Sequence, residues 1–383
     1  METMKRRHLE CSGTPLEMGL AQGKWARPQM EKVYRTLLET EFVPSFVKWT
    51  GSIRLLKILF ALAGFRFFPF SLLRIRQEVP DQFDRLIGLS QSADIGLSGL
   101  LALNEIEVIS AQLNFVFGCT SLGFATKRLD KKKGPLLAYN HDFPPFFADF
   151  LTIRRSSPRK GFASLELTYP TLTGAIGGIN EEGLAVSLNH AFSQERSTSA
   201  IPPTMMVQSV LTRCKNTAAA VEFLTSSKAA CGSMVSLVDR KDQMAAVELS
   251  PKRISVRRPW QGVLMTINEY QTEKLREVEV PQKAFFDPKK FPPPFHGLPI
   301  HGSNWSRRRR LAELLDRKGA FRAAEIRKIL RDHEEEEKPS HLTICRHHDT
   351  AKTLSSALMW PGKSAIEVAY GNPCQGKYQT YTL

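Results

Sequence analysis

Cys119 divides the sequence into two parts with different local patterns. Helical patterns dominate up to about Gln112, and the first helix has start signals in Thr14, a capping residue, and Pro15, which suits the first helical turn. After Cys119 the pattern changes to short β-prone runs separated by turn residues, at 135–140, 150–153, 163–169, 173–179 and 184–189. The division predicts a helical segment followed by a sheet of hairpins.

The rest of the sequence repeats the order of helices followed by strands. Asn180 and Gly183 are placed around a tight turn between two apolar runs, which is typical of a hairpin. Helices that pack on two sheets, in a layered α+β architecture without internal repeats, explain this order best. The expected elements are helices at 204–213, 217–226 and within 306–331, and strands at 234–239, 244–249, 341–345, 355–360 and 365–370.

Composition limits the classes of partner. The chain has 383 residues and 42% hydrophobic content, enough for a full core, and 53 Lys+Arg against 38 Asp+Glu give a net charge of +15. This charge favours anionic partners, but no zinc-finger spacing or aromatic ribonucleoprotein motif accompanies it, so nucleic acid is not expected. The cysteines show no paired spacing, which favours reduced thiols. The adjacent residues His347, His348 and Asp349 point apart, so no metal site is expected.

The most apolar stretch, 53–73, is interrupted by Arg54, Lys57 and Arg66. Its longest uncharged run, 58–65, is too short for a membrane span, and no secretory signal precedes it, so a cytoplasmic location is expected. The stretch is read most simply as a core helix, with an interfacial amphipathic helix or a wall near an acyl-binding site as alternatives. The aromatic residues behind these alternatives are Phe60, Phe65, Phe67, Phe68 and Phe70.

The dipeptide Gly118-Cys119 carries the chemical hypothesis. If the bond between these residues breaks, Cys119 holds both a thiol and an α-amine, whose pKa of about 7.7–8.0 lets it act as the base for its own side chain. A buried structural cysteine after a glycine turn is the alternative interpretation.

Further segments, in order, strengthen this hypothesis. These segments are 13–19 with Gln22-Gly23, Leu103-Asn104-Glu105, 118–121, Asn140-His141-Asp142-Phe143, the Asn180 hairpin, Thr266-Ile267-Asn268, 304–307 and 342–346. Together they resemble the motifs of the peptidase C45 family, whose members are similar to isopenicillin N acyltransferase (acyl-CoA:6-aminopenicillanic acid acyltransferase) and belong to the Ntn-hydrolase superfamily.

The resemblance implies a four-layer αββα Ntn-hydrolase fold with an N-terminal helical segment. It also implies that the chain cuts itself before Cys119, leaving residues 1–118 and 119–383 associated as α and β subunits. Cys119 would attack an amide or thioester carbonyl to give a thioester acyl-enzyme, which water or an amine resolves. The implied substrate is a small-molecule amide or an acyl-CoA-like compound, and no cofactor is expected.

Three polar residues are expected around the nucleophile. Asn268 would donate a hydrogen bond to the oxyanion, Asp142 would orient the new α-amine, and Arg346 would bind a substrate carboxylate or support the site. A turn asparagine, a strand-end carboxylate and a structural ion pair are the respective alternatives.

Other polar residues are expected to contact substrate or to mark departures from the family. Substrate contacts are expected from Asn140, His141 and Asn189. His141 stands where the family has tryptophan, which favours packing or hydrogen bonding over acid–base work, and His190 stands where it has a small residue. The run 307–310 is most simply a solvated basic face, with binding of an anionic group as the alternative.

A second hypothesis is a non-catalytic, basic protein that retains the Ntn fold and binds a membrane or an anion. The two hypotheses differ in whether the chain matures into two fragments.

Overall fold

In the computed structural model of the chain, the described residues are 7–39, 45–67, 69–112, 118–130, 134–287, 295–317, 319–334, 338–349 and 351–383. Before Cys119 they form one strand and a series of helices. Thr14 caps the first helix as expected, since its hydroxyl accepts the Glu17 N–H and the Glu17 carboxylate accepts the Thr14 N–H. These elements are β1 (His8–Gly13), α1 (Pro15–Leu38), α2 (Ser45–Thr50), α3 (Ile53–Phe67), α4 (Pro69–Glu78), α5 (Pro80–Ala93), α6 (Leu97–Asn104) and α7 (Ile106–Gln112).

Helices α1 and α5 pack closely because glycines line their contact. A Cβ on Gly19 would lie 2.2 Å from the carbonyl oxygen of Arg85, and one on Gly88 would lie 2.2 Å from that of Leu16. Larger side chains at either position would push the helices apart.

The larger sheet has eight strands in the order β1-β4-β5-β6-β7-β8-β9-β10. Strand β1 pairs with β4 in parallel, whereas the other neighbours in this sheet are antiparallel. The N-terminal segment is therefore built into this sheet. Its remaining strands are β4 (Thr152–Pro158), β5 (Ser164–Thr168), β6 (Gly177–Asn180), β7 (Leu184–His190), β8 (Ser233–Asp239), β9 (Met244–Leu249) and β10 (Ile254–Arg257).

The second sheet has six antiparallel strands in the order β11-β2-β3-β12-β13-β14. Cys119 opens β2 and pairs with His141 of β3. The nucleophile candidate thus lies at the end of a central strand. The six strands are β2 (Cys119–Phe124), β3 (Leu136–Phe143), β11 (Val263–Thr266), β12 (Lys352–Trp360), β13 (Ala365–Tyr370) and β14 (Tyr378–Thr382).

The two sheets face each other, and helices cover both. Between them, the Ser121 and Ser187 hydroxyls lie 2.8 Å apart, and the Ser236 hydroxyl donates to Thr266 Oγ1 at 2.9 Å. Helices α8 and α9 pack on the eight-stranded sheet, and α11 and α12 pack on the six-stranded sheet. The expected αββα arrangement is confirmed. The helices of this part are α8 (Pro203–Arg213), α9 (Thr217–Ser226), α10 (Glu273–Arg276), α11 (Gly302–Leu315) and α12 (Ala323–Leu330).

The strand prediction at 341–345 is wrong, because this segment is a series of bends. The Thr343 hydroxyl lies 2.9 Å from the Ser340 carbonyl oxygen and 2.7 Å from that of Cys345, so local contacts replace a strand ladder. The strand expected over 173–179 begins only at Gly177, and the four edge strands β1, β10, β11 and β14 were not predicted.

The apolar stretch 53–73 forms much of α3 and α4. Leu56 is buried and Phe60 packs on the core, but Phe65 and Phe70 are 78% and 65% exposed. Phe68 and the side chain of Phe67 lie outside the described residues. In the described part of the chain no single helix is long and apolar enough to cross a bilayer. Helices α3 and α4, which are joined at a bend, reach that length and apolar composition only when they are counted together.

Candidate active site

Both backbone groups of Cys119 are bonded to buried side chains. Its N–H donates to Asn268 Oδ1 at 2.6 Å, and its carbonyl oxygen accepts from Arg307 Nη1 at 2.7 Å. The residue itself is 2% exposed. The main chain of the nucleophile candidate is therefore fixed on both sides.

The thiol of Cys119 lies among hydroxyl and imidazole groups. The Tyr139 hydroxyl donates to Sγ at 3.3 Å, and Nδ1 of His141 lies 3.8 Å from Sγ. Burial, and then the charge of Asp142, raise the pKa of the thiol to about 12. In the uncut chain the thiol is protonated and is a weak nucleophile.

Gly118 occupies a position that leaves no room for a side chain. Its carbonyl oxygen accepts the N–H of Asp142 at 2.9 Å. A Cβ built on it would lie 2.5 Å from Arg346 Nη1 and 2.8 Å from Asp142 Oδ2. Glycine before the cysteine thus lets the main chain approach two charged groups.

Asp142 lies at the centre of this charged group and is buried, whereas Arg346 is half-buried. The Thr353 hydroxyl donates to Asp142 Oδ1 at 2.7 Å. Burial raises the pKa of Asp142, and the charges of Arg307 and Arg346 oppose the rise. Burial lowers the pKa of Arg346 to about 10, which leaves the guanidinium charged at neutral pH.

Asn268 reaches Cys119, but it presents its oxygen rather than its amide hydrogens. Oδ1 accepts from Cys119 N and from Arg307 Nη2 at 3.1 Å, while Nδ2 donates to the His190 carbonyl oxygen at 2.7 Å. In this arrangement Asn268 is an acceptor for the nitrogen of the nucleophile. Its expected role as an oxyanion donor stays a prediction.

Arg307 is a central residue that the sequence analysis did not assign to the site. Besides Cys119 and Asn268, it donates to Thr120 Oγ1 at 3.0 Å and Asn304 Oδ1 at 2.9 Å. Helical spacing could have indicated that Arg307 is buried, because Asn304, Arg307 and Leu311 are the buried residues of α11.

The other three arginines of the run 307–310 bond to carboxylates elsewhere. Arg308 pairs with Glu269 at 2.7 Å, Arg309 with Glu334 at 3.1 Å and Arg310 with Asp332 at 2.9 Å. The basic face is thus largely neutralised within the molecule.

Two of the expected substrate contacts lie away from the thiol. Asn140 points to the other face of β3, where Nδ2 donates to the carbonyl oxygens of Leu330 and Ile344. Asn189 lies between the sheets, where it accepts from the Ser121 hydroxyl at 2.6 Å. The structure brings neither residue to the pockets beside Cys119, because side chains alternate along a strand.

His141 is beside the thiol and is packed among aromatic rings. Its Nε2 lies 2.9 Å from the Tyr169 hydroxyl, and its ring stacks on Phe143 with centroids 5.4 Å apart. Burial lowers the pKa of His141 to about 3, so the imidazole is neutral near pH 7. The contacts agree with the packing and hydrogen-bonding role that the sequence favoured.

Two pockets meet at the Gly118–Cys119 bond. The guanidinium pocket, bordered by Gly118, holds about 600 Å³, counting space open to solvent. It combines polar groups with an apolar wall. Its members include Asn268, Arg307, Arg346, Phe192, Phe286, Phe295 and Ile300.

The apolar pocket, bordered by Cys119, holds about 730 Å³ on the same measure. Its polar lining includes Asn104, His141, Asp142 and one pair in which His190 Nε2 lies 3.3 Å from Glu107 Oε2. Burial raises the pKa of Glu107 to about 7 and lowers that of His190 to about 4. None of the described residues of the apolar stretch 53–73 lines this pocket. Its apolar lining includes Val33, Leu37, Leu103, Phe143, Phe147, Leu172, Ile176 and Leu188.

Solved structures similar to the chain include a Caenorhabditis elegans N-acylethanolamine-hydrolyzing acid amidase ortholog (15% identity, 69% of this chain and 100% of that chain, TM-score 0.43). A variant of the conjugated bile acid hydrolase from Clostridium perfringens is also similar (14% identity, 69% of this chain and 97% of that chain, TM-score 0.41). So is penicillin V acylase from Agrobacterium tumefaciens (12% identity, 66% of this chain and 83% of that chain, TM-score 0.39). No curated protein matches the chain.

The model of one protein family, acyl-coenzyme A:6-aminopenicillanic acid acyl-transferase (AAT), matches residues 129–375. This match covers more than half of the chain. The protein therefore belongs to the AAT family, and it is an enzyme.

Proposed function

We propose that the protein is a cysteine Ntn enzyme that activates itself by cutting between Gly118 and Cys119. It then hydrolyses non-peptide amide bonds, or transfers acyl groups, through a thioester on Cys119. One observation carries the proposal: both main-chain groups of Cys119 are fixed by Asn268 and Arg307, next to a glycine that has no room for a side chain.

Self-cleavage would begin with attack of Cys119 Sγ on the carbonyl carbon of Gly118. The thiol proton passes to the departing nitrogen of Cys119, the C–N bond breaks, and residues 1–118 are held as a thioester. Water then breaks the C–S bond, leaving a carboxylate on Gly118 and restoring the thiol. The Asp142 N–H, 2.9 Å from the Gly118 carbonyl oxygen, is positioned to stabilise the oxyanion.

In the mature enzyme, the new α-amine of Cys119 would replace the peptide nitrogen. Asn268 Oδ1, 2.6 Å away, accepts one of its hydrogens, and the amine is the base that takes the thiol proton. A substrate carbonyl would lie where the Gly118 carbonyl was. Asp142 would then stabilise the oxyanion through its backbone N–H and orient the α-amine through its carboxylate.

The two pockets suggest the two halves of a substrate. The apolar pocket beside Cys119 suits a fatty or aromatic acyl group, and the guanidinium pocket, with Arg307 and Arg346, suits an anionic group. Turnover of N-acyl amino acids should therefore exceed that of N-acyl amines with the same chain. Activity solely toward small polar amides would contradict this assignment.

The test of the proposal is the mass of the purified chain. Wild-type protein should give two fragments, 1–118 and 119–383, whereas Cys119→Ala should stay whole at 43.1 kDa. Cys214→Ala, which removes another buried thiol, should still be cut. A wild-type chain that stays uncut after prolonged incubation would sink the proposal.

One observation favours a second candidate, attachment to a membrane surface. Ile58, Leu62 and Phe65 lie on one face of α3 and are each at least 49% exposed. Sedimentation with anionic vesicles, compared between wild type and Leu62→Ser/Phe65→Ser, tests this role separately from cleavage. Equal sedimentation of the two proteins would contradict it.

A further inference from the structure

Four side chains with metal-binding atoms meet behind Arg346. His333 follows α12, Cys345 and His347 come from the bends before β12, and Cys374 comes from the turn before β14. One ligand atom from each side chain lies within 4.8 Å of the others. In the described part of the chain, this is the only group of three or more His, Cys, Asp or Glu side chains that meets such a criterion.

Two distances within the cluster fit a tetrahedral metal site. His347 Nε2 lies 3.4 Å from Cys345 Sγ and 3.4 Å from Cys374 Sγ. In a tetrahedron with Zn–S of about 2.3 Å and Zn–N of about 2.0–2.1 Å, the sulfur and nitrogen ligands are separated by about 3.5–3.6 Å. Both observed distances match this edge closely.

We propose that His333, Cys345, His347 and Cys374 bind one structural Zn²⁺ ion. Two thiolates and two imidazoles are a common zinc ligand set, and four protein ligands leave no open position for catalysis. Soft sulfur ligands disfavour Mg²⁺ and Ca²⁺.

The surroundings hold two of the ligands in place. The N–H of Cys345 donates to the Asp332 carbonyl oxygen at 3.1 Å, and the N–H of His347 donates to that of Ser340 at 2.9 Å. Asn372 Nδ2 lies 3.6 Å from Cys345 Sγ, where it can donate to a thiolate. Contacts of this kind orient metal ligands and stabilise their charge.

The ligands come from distant positions in the sequence, which is why the sequence analysis expected no metal. Neither the cysteine spacing nor the adjacent residues His347, His348 and Asp349 indicated a site. The fold instead turns His347 toward Cys374 and Cys345, and His333 completes the set.

A metal here would fix the main chain of a site residue. Arg346 lies between two of the ligands, and its backbone bonds to Thr353 and Asn372. Its guanidinium faces Gly118 and Asp142. The ion would thus hold Arg346 in place beside Cys119. This consequence rests on the proposed function, whereas the binding of zinc does not depend on it.

Metal analysis of the full chain tests the site. Protein purified with a thiol reductant, and reconstituted with Zn²⁺ where necessary, should hold close to one zinc ion per chain by plasma mass spectrometry. Cys374→Ala and His333→Gln should lose it. Cys214→Ala and His8→Gln, which change a cysteine and a histidine outside the cluster, should keep it.

Replacement by Co²⁺ gives an independent measurement on the wild type if a variant fails to fold. Tetrahedral cobalt with two thiolates should show strong visible bands and a sulfur-to-cobalt charge-transfer band. Failure to bind either ion after reconstitution, equal zinc in the cluster variants, or a Cys345–Cys374 disulfide under reducing conditions would overturn the proposal. A zinc-loaded chain that is never cut would sink the proposed function alone.

Discussion

At the scale of single residues, Arg307 connects the parts of the site. Its two terminal nitrogens donate to four different acceptors, among them the Cys119 carbonyl oxygen and Asn268 Oδ1. The planar fork of arginine can reach all of them at once, whereas the single ammonium of lysine cannot. Arg307 therefore sets the position of both ends of the Cys119 residue.

We expect Arg307→Lys to slow self-cleavage at least about tenfold, because misplacing the scissile bond raises the barrier by more than about 1.4 kcal/mol. The free energy of unfolding should also fall by about 1–3 kcal/mol, since buried acceptors lose their donors. The fraction of cut chain against time, with urea unfolding of the same samples, measures both.

Arg309→Lys is the matched control for Arg307→Lys. Arg309 is on the same helix, but its side chain is 66% exposed and pairs with Glu334. This change should leave both measurements close to those of the wild type. Equal cleavage rates in the two variants would show that the hydrogen bonds of Arg307 do not position the site.

At the scale of elements, a buried carboxyl joins the helices that precede Cys119. Glu105 lies between α6 and α7 and accepts a hydrogen bond from the Ser71 hydroxyl of α4. Burial raises the pKa of Glu105 to about 8. Near pH 6 the folded chain thus holds a proton that the unfolded chain has released.

The sign of the linkage follows from this proton. Where the folded state binds more protons than the unfolded state, the free energy of unfolding falls as pH rises. The contribution of Glu105 to the free energy of unfolding is complete below about pH 4.5. It is lost between about pH 4.5 and about pH 8, at a slope of at most about 1.4 kcal/mol per pH unit.

Glu105→Gln should therefore flatten the loss of stability between pH 5 and pH 8, because the amide keeps the shape of the neutral acid. Urea unfolding at several pH values measures the slope. The exposed Glu31→Gln in α1 serves as the control. A Glu105→Gln slope as steep as that of the wild type would rule out this proton as its source.

At the scale of the whole molecule, the two expected fragments are interlocked. Strand β1 of the N-terminal segment pairs along its length with β4. Gln22 of α1 donates to the carbonyl oxygens of Pro170 and Leu172, and its own oxygen accepts from Arg154. These bonds cross from residues 1–118 to residues 119–383 and are buried.

The fragments should thus stay together after the cut, as the sequence resemblance implies. Size-exclusion chromatography of matured protein should give one peak of about 43.1 kDa, or a multiple of it, containing both fragments on a denaturing gel. Urea should separate them only as the fold is lost. Separate elution in native buffer would contradict a shared sheet.

The sequence by itself determined the features that depend on near neighbours. The Thr14 cap, the hairpin at Asn180 and the strands at 234–239 and 244–249 follow from residues a few positions apart, and the structure contains them all. The order of helices and strands also predicted two sheets between helices. The motif Gly118-Cys119 marked the nucleophile candidate between a helical segment and a sheet of hairpins, but the strand β2 that Cys119 opens was not predicted.

Only the tertiary structure decided which side chains meet. It put Arg307 in the site and paired its three neighbours with carboxylates, turned Asn140 away from the thiol, and gathered His333, Cys345, His347 and Cys374 from three segments. Each result depends on strand register and helix packing between residues far apart in sequence. The order of residues in one chain does not specify those pairings locally, since they form only when distant elements bury their apolar faces together.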